Sequence, residues 1–275
     1  MGGGGVAGRR QVLSREDAPV IRLVYLLRRK PELSLADFQQ YWREQHAPLV
    51  AGFAGVLDIV RYTQSHRLDD ESHVQMGKAR GGVEEPYDGV AELWWESEDT
   101  LTAAMSHESG RVAGAALLAD EATFIDLPHS PLFLTHEYPQ VNPTPENIVA
   151  RPKSGIVKLH FPLRHVASLS LEEAQRYWRV QHGPLIRSMA PAMGMLRYMQ
   201  VHRYTTPLEA ALRASRGTVT EAYTGHAEAW FDRLIPRSGH EAAAASRRAV
   251  EDESHFIDFA RSALWLGKEH VIIDR

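Results

Sequence analysis

The sequence predicts an α+β protein built from two ferredoxin-like units, each βαββαβ, packed sheet to sheet. Three observations predict it. The first is an internal repeat: the string Tyr41-Trp42-Arg43-Glu44-Gln45-His46-Ala47-Pro48-Leu49 returns as Tyr177-Trp178-Arg179-Val180-Gln181-His182-Gly183-Pro184-Leu185. At that offset of 136, residues 21–95 and 157–231 share 29 identities in 75 positions, where unrelated segments share about one in fifteen. A period this long marks duplicated domains rather than a solenoid. The second observation is that each copy alternates strand and helix periodicities in the same order. The third is that 275 residues with 44% hydrophobic and 24% charged content suffice for two cores of ordinary size.

The elements follow in order. Val20–Leu27 has period-two, β-branched character and reads as a strand, with Ile21, Leu23, Tyr25 and Leu27 on one face. Ser34 with Asp37, and Ser170 with Glu173, mark helix starts. Leu35, Phe38 and Trp42 form a helical apolar stripe, matched by Leu171, Ala174 and Trp178. His46 and His182 continue those stripes by four residues and so point toward the sheet, and Pro48 and Pro184 should end the helices near them. Ile59–Arg67 is a second strand. Val60, Tyr62, Gln64 and His66 share one face of it, as do Leu196, Tyr198, Gln200 and His202 in the second copy. Three polar tips on one face suit a wet or ligand-filled interior. Leu68–Pro86 is a long connection, read as loop with a short helix at most. Asp88–Glu96 is a third strand and Glu98–Ala119 a helix interrupted near Gly110. Thr123–Asp126 and Leu132–His136 finish the unit as strands. The expected boundaries are a disordered tail over 1–18, a first unit over 19–138, a Pro-rich linker over 139–154 and a second unit over 155–275. Phe124-Ile125-Asp126 matches Phe256-Ile257-Asp258 at an offset of 132, so four residues have been lost between.

Composition excludes several classes. A net charge of −4 argues against a general nucleic-acid binder. The absence of cysteine removes disulfide and thiolate chemistry. No apolar run approaches a membrane span. Arg9 and Arg10 precede no apolar stretch, so no signal peptide is read and the cytoplasm is the expected compartment.

The pattern Phe38-x-x-Tyr41-Trp42-x-x-x-His46-x-Pro48-Leu49, followed by Arg61-Tyr62-x-Gln64-x-His66, resembles the EthD family in both copies. Two departures are Ala47, where Gly183 is the commoner family residue, and Ala174 in place of an aromatic such as Phe38. The resemblance implies the dimeric α/β barrel superfamily, with the pair of ferredoxin-like units supplied by one chain. It implies chemistry in ether degradation or aromatic polyketide tailoring, including lyase-type decarboxylation, dehydration or cyclisation. Cofactor-free oxygenases and haem enzymes belong to the same superfamily.

Candidate catalytic residues are His46, His182, Tyr62 and Tyr198. Histidine titrates near neutral pH and suits proton transfer, and a tyrosine can hold a developing oxyanion. A buried histidine that only fixes the His-x-Pro turn is the structural alternative. Gln64, His66, Gln200, His202, Tyr87 and Tyr223 are candidate substrate-binding residues. Glu92 and Glu228 lie mid-strand and need partners; Arg61 and Arg197 are the expected ones. No run of the 14 histidines has metal-ligand spacing, and no Gly-rich phosphate loop occurs, so neither metal nor cofactor is expected. The expected partner is a small hydrophobic or aromatic substrate, with neither nucleic acid nor membrane; pairing of two chains as a homodimer stays open. The alternatives are a cofactor-free monooxygenase and a non-catalytic carrier that assists an oxygenase. Of the two sites, the one with His46 and Tyr62 should be the more accessible, because Leu208–Ala214 is helix-prone and its counterpart around Asp69-Asp70-Glu71 is not.

Overall fold

The computed structural model describes residues 20–142, 148–236 and 238–275. The glycine-rich tail and the middle of the linker lie outside them. The first half contains β1 (Ile21–Leu27), α1 (Leu35–Tyr41), α2 (Ala47–Phe53), β2 (Arg61–Arg67), α3 (Ser72–Lys78), β3 (Gly89–Trp95), α4 (Glu98–Ser106), α5 (Glu108–Phe124) and β4 (Leu132–Val141). The second contains β5 (Ile156–His165), α6 (Leu171–Tyr177), α7 (Gly183–Met193), β6 (Met195–Arg203), α8 (Pro207–Ser215), β7 (Gly225–Asp232), α9 (His240–Glu253), β8 (Ile257–Asp258) and β9 (Trp265–Asp274). Capping is as the sequence reads: Ser34 Oγ accepts from Asp37 N, and Ser170 with Glu173 forms a full capping box.

Each half orders its strands as a ferredoxin-like sheet, β4-β1-β3-β2 and β9-β5-β7-β6, antiparallel throughout. The open faces of the two sheets face each other, and their edges also join, β2 to β9 and β4 to β6. The result is a closed eight-stranded barrel with the helices outside. Closure removes the exposed sheet edges that would otherwise invite pairing with other chains.

Several elements differ from the sequence reading. The helix does not stop at His46. It passes through a π turn at Trp42–His46 and continues as α2. Pro48 has no N–H to donate, so the Ala47 N–H reaches back five residues to the Trp42 carbonyl. α5 extends to Phe124, leaving only an isolated bridge from Ile125 to Arg29. β4 runs through Pro139 to Val141, tolerated because its pairing with β6 shifts register there. The break between α4 and α5 falls at His107, and Gly110 lets the two helices abut: a Cβ there would lie 1.9 Å from the Ala104 carbonyl oxygen.

The barrel lumen is not the wet, tyrosine-lined interior that the strand pattern suggested. Alternation puts Ile21, Leu23, Tyr25, Tyr62, Gln64 and His66 on the helix side, in contact with Trp42 and its neighbours. The lumen receives Arg22, Val24, Glu92, Lys158, His160, His226 and Glu228. Arg22 bonds Glu92, Glu228 and Glu137, and Lys158 Nζ lies 2.6 Å from Glu92, 2.9 Å from Glu228 and 3.2 Å from Glu269. Arg22 and Lys158 are equivalent positions of the two copies, so the pseudo-twofold axis passes through this cluster. Arg61 and Arg197 are not the partners of these carboxylates. Register sets them opposite Trp94 and Trp230, and their guanidinium groups lie over those rings at 4.9 and 4.4 Å. Burial pushes Glu92 up to about 8 against the pull of Arg22 and Lys158. Burial also lowers His226 to about 3 and holds His160 well below its usual range.

Candidate active site

The π turn positions the first candidate residue. The Trp42 carbonyl accepts the Ala47 N–H and, at 2.8 Å, Gln64 Nε2; the Trp178 carbonyl accepts Gly183 N–H and Gln200 Nε2 in the same way. This turn aims His46 and His182 at the space between helices and sheet, where they are 6% and 4% exposed. They do not stand at a mouth of the barrel.

Each imidazole there meets a carboxylate. His46 Nδ1 is 2.7 Å from Asp120 Oδ2, and the Tyr41 hydroxyl donates to Asp120 Oδ1 at 2.8 Å. His182 Nδ1 is 2.7 Å from Asp252 Oδ2, and the Tyr177 hydroxyl donates to Asp252 Oδ1 at 2.9 Å. A carboxylate on Nδ1 fixes the proton there and leaves Nε2 as the basic nitrogen. Burial acts to raise Asp252, but the hydrogen bonds from His182 and Tyr177 outweigh it and hold the carboxyl below its usual value. Phe124 and Phe256 pack beside the two imidazoles, with ring centres 5.3 Å away in each case.

His46 and Tyr62 line one cavity of about 320 Å³, with Leu23, Val50, Leu93 and Met105 among its walls. His182 and Tyr198 line an equivalent cavity of about 580 Å³, with Leu159, Ile186 and Ala227. The rings of His182 and Tyr198 meet edge to face at 6.4 Å. The Tyr62 oxygen accepts from Trp42 Nε1 at 3.1 Å and from Gln64 Nε2 at 2.9 Å. Both lone pairs are thereby engaged, so the O–H hydrogen is left to donate elsewhere. Tyr198 accepts from Trp178 Nε1 at 2.8 Å and Gln200 Nε2 at 3.5 Å. Burial raises both phenols, which stay neutral donors.

The other residues singled out from the sequence lie elsewhere. Gln64 sits between Tyr62 and His66 and bonds both, and His66 stacks on Trp42 at 4.7 Å. Gln200 and His202 repeat this on Trp178, with the rings 4.5 Å apart. None of these four lines either cavity. Tyr87 and Tyr223 join across the pseudo-twofold axis, hydroxyl to hydroxyl at 3.1 Å, away from both cavities.

Asp120 and Asp252 escaped the sequence reading although a signal existed. Asp120-Glu121 stands to Asp252-Glu253 at the same offset of 132 that relates the two Phe-Ile-Asp strings. Also missed was the exchange of covers. Leu212, Ser215 and Arg216, from α8 and just beyond it, roof the His46 cavity, where Arg216 bonds Glu121 twice at 2.8 Å. Met76, Ala79 and Arg80, from α3 and its end, roof the His182 cavity, where Arg80 bonds Glu253 at 2.7 and 3.0 Å. Each half therefore closes the other's pocket.

An intramolecular dimeric α/β barrel with a helix-covered pocket on each sheet is the class that this fold and these pockets define. Within it, the EthD domain matches residues 30–128 and 167–260, and the chain belongs to the EthD family. Among solved structures the chain is similar to a putative monooxygenase from Fusobacterium nucleatum subsp. nucleatum, with 8% identity, 92% of this chain and 94% of that one covered, and a TM-score of 0.51. An anthrone oxidase-like protein matches with 11% identity over 94% of this chain and 96% of that one, at a TM-score of 0.48. An EthD family protein from Bacillus halodurans matches 42% of this chain and 95% of its own length, with 19% identity and a TM-score of 0.29. No curated protein matches the chain. Among the described residues no helix is long and apolar enough to cross a membrane.

Proposed function

We propose that the protein is an enzyme that moves a proton on a small apolar or aromatic substrate, using His46–Asp120 in one cavity and His182–Asp252 in the other. The observation that supports this best is the dyad itself, repeated in both halves at the wall of a mainly apolar pocket. Nε2 takes a proton from a carbon or oxygen acid of the substrate, and the aspartate steadies the imidazolium. Tyr62 or Tyr198 donates its O–H to the carbonyl oxygen on which charge develops. The imidazolium then returns the proton, to the carbanion left by CO2 in a decarboxylation or to the departing hydroxyl in a dehydration, which regenerates the neutral imidazole.

A second reading shares the first step. A structure of the same fold is named a putative monooxygenase, and a deprotonated electron-rich ring can reduce oxygen without metal or flavin. Oxygen uptake during turnover separates the two. The test of proton transfer is the double variant His46→Gln/His182→Gln, assayed against a panel of hydroxyaromatic and β-keto acids. We expect turnover to fall at least about 10²-fold with binding retained. Binding without turnover in both wild type and variant would replace the enzyme with a carrier.

A further inference from the structure

We propose that the barrel lumen holds a site for one divalent transition-metal ion, formed by His160, His226, Glu228 and Glu92. The four side chains come from β5, β7 and β3, are at most 1% exposed, and present ligand atoms that all lie within 4.8 Å of one another. No search along the chain finds them, because they converge only when the barrel closes.

Four observations support an ion there. His160 Nδ1 and His226 Nε2 are 3.1 Å apart. Two nitrogens bound at about 2.0–2.1 Å to one tetrahedral ion lie roughly 3.3 Å apart, so the imidazoles already have nearly the required spacing. The outer contacts suit ligation too. Ser65 Oγ lies 2.6 Å from His160 Nε2, where it can accept that N–H and leave Nδ1 with its lone pair toward His226. Next, Glu92 Oε2 is buried without a hydrogen-bond partner, and His226 Nδ1 lies 3.6 Å from Glu228 Oε1, so its N–H can face that carboxylate while Nε2 keeps its lone pair toward His160. An orphaned oxygen at this depth is costly and calls for an occupant. Finally, the carboxylates of Glu92 and Glu228 approach within 4.8 Å in the dry lumen and share Arg22 and Lys158. A dication between them adds attraction to both.

The duplication sharpens the point. The positions of His160 and His226 are Val24 and Val90 in the first copy, where they pack as plain core. A lumen that needed only filling is satisfied by valine, so the histidines are a one-sided addition. Two imidazoles with carboxylate oxygens favour zinc, cobalt, nickel or manganese over calcium or magnesium. The ion would tie β3 of one half to β5 and β7 of the other, a structural role in keeping with its burial.

The experiment is to unfold the full chain with chelator, refold it with zinc or with cobalt, desalt it, and measure bound metal by mass spectrometry. One ion per chain is expected, with visible ligand-field bands for cobalt and a higher melting temperature than metal-free protein. His160→Val/His226→Val installs the residues of the first copy. It should fold, bind no ion and melt at a temperature that zinc does not change. Sub-stoichiometric metal in the refolded wild type, or one ion per chain in the double variant, overturns the proposal. If that variant does not fold, X-ray absorption of the zinc form of the wild type decides: two imidazole ligands are expected, and none or one overturns it.

Discussion

Asp120 holds the proton of His46 on Nδ1, and its charge is what an asparagine in its place would lack. The asparagine amide can turn its NH2 group toward Nδ1, which selects the tautomer with the proton on Nε2 and removes the base from the cavity. The Tyr41 hydroxyl would still reach the amide oxygen, so the local packing is preserved. Because the second cavity carries the same machinery, the effect must be read in a background where it is silent. In the His182→Gln protein, Asp120→Asn should lower kcat/KM by about 10²–10⁴-fold, and Asp252→Asn should do the same in the His46→Gln protein. Unchanged kcat/KM on steady-state assay would show that the carboxylates only hold the fold. The histidines and tyrosines of these pockets were legible in the sequence because they sit inside long repeated strings. The aspartates were not, because they lie beyond the four-residue deletion that breaks the common offset.

The elements that close the pockets reverse one expectation. The helix-prone stretch of the second copy forms α8, but it covers the His46 cavity of the first half rather than its own. The His182 cavity, under the shorter α3, is the larger, about 580 against 320 Å³. Where a connection lands is a tertiary fact, and no local propensity encodes it. The same holds for strand faces: alternation showed that Tyr62, Gln64 and His66 share a side, yet both sides of these strands are buried, so the pattern could not say which faces the lumen. Arg216–Glu121 fastens α8 to α5 and is mostly buried, with side chains 13% and 8% exposed. Removing one partner leaves a charge without its counter-ion. Arg216→Met should therefore cost about 3–5 kcal/mol, whereas Arg216→Met/Glu121→Leu should return most of that stability. Denaturant titration of the wild type and the two variants measures it, and equal destabilisation by the single and double variants would mean that the orphaned Glu121 charge is not what destabilises Arg216→Met.

At the scale of the whole molecule, the two halves are legible as domains in the sequence but complete one another in space. β2 and β4 of the first half find their outer partners only in β9 and β6. Arg22 reaches Glu228 and Lys158 reaches Glu92 across the lumen. Each pocket also needs the other half's cover. A separated half would expose two sheet edges and an open face bearing buried-type charges, both strongly unfavourable in water. The first half has an escape that the second lacks. Arg22, Glu92 and Tyr87 lie about the pseudo-twofold axis, and Val24 and Val90 are apolar, so two copies of residues 20–142 can meet lumen to lumen with one arginine for each glutamate. In a pair of second halves, Lys158 and Glu228 also match one to one, but four histidines would crowd the dry centre. The expectation is that residues 20–142, expressed alone, form a homodimer, and that residues 155–275 fold only when mixed with them. Sedimentation equilibrium of each fragment and of the mixture tests this, and a stably folded monomer of either half would refute it.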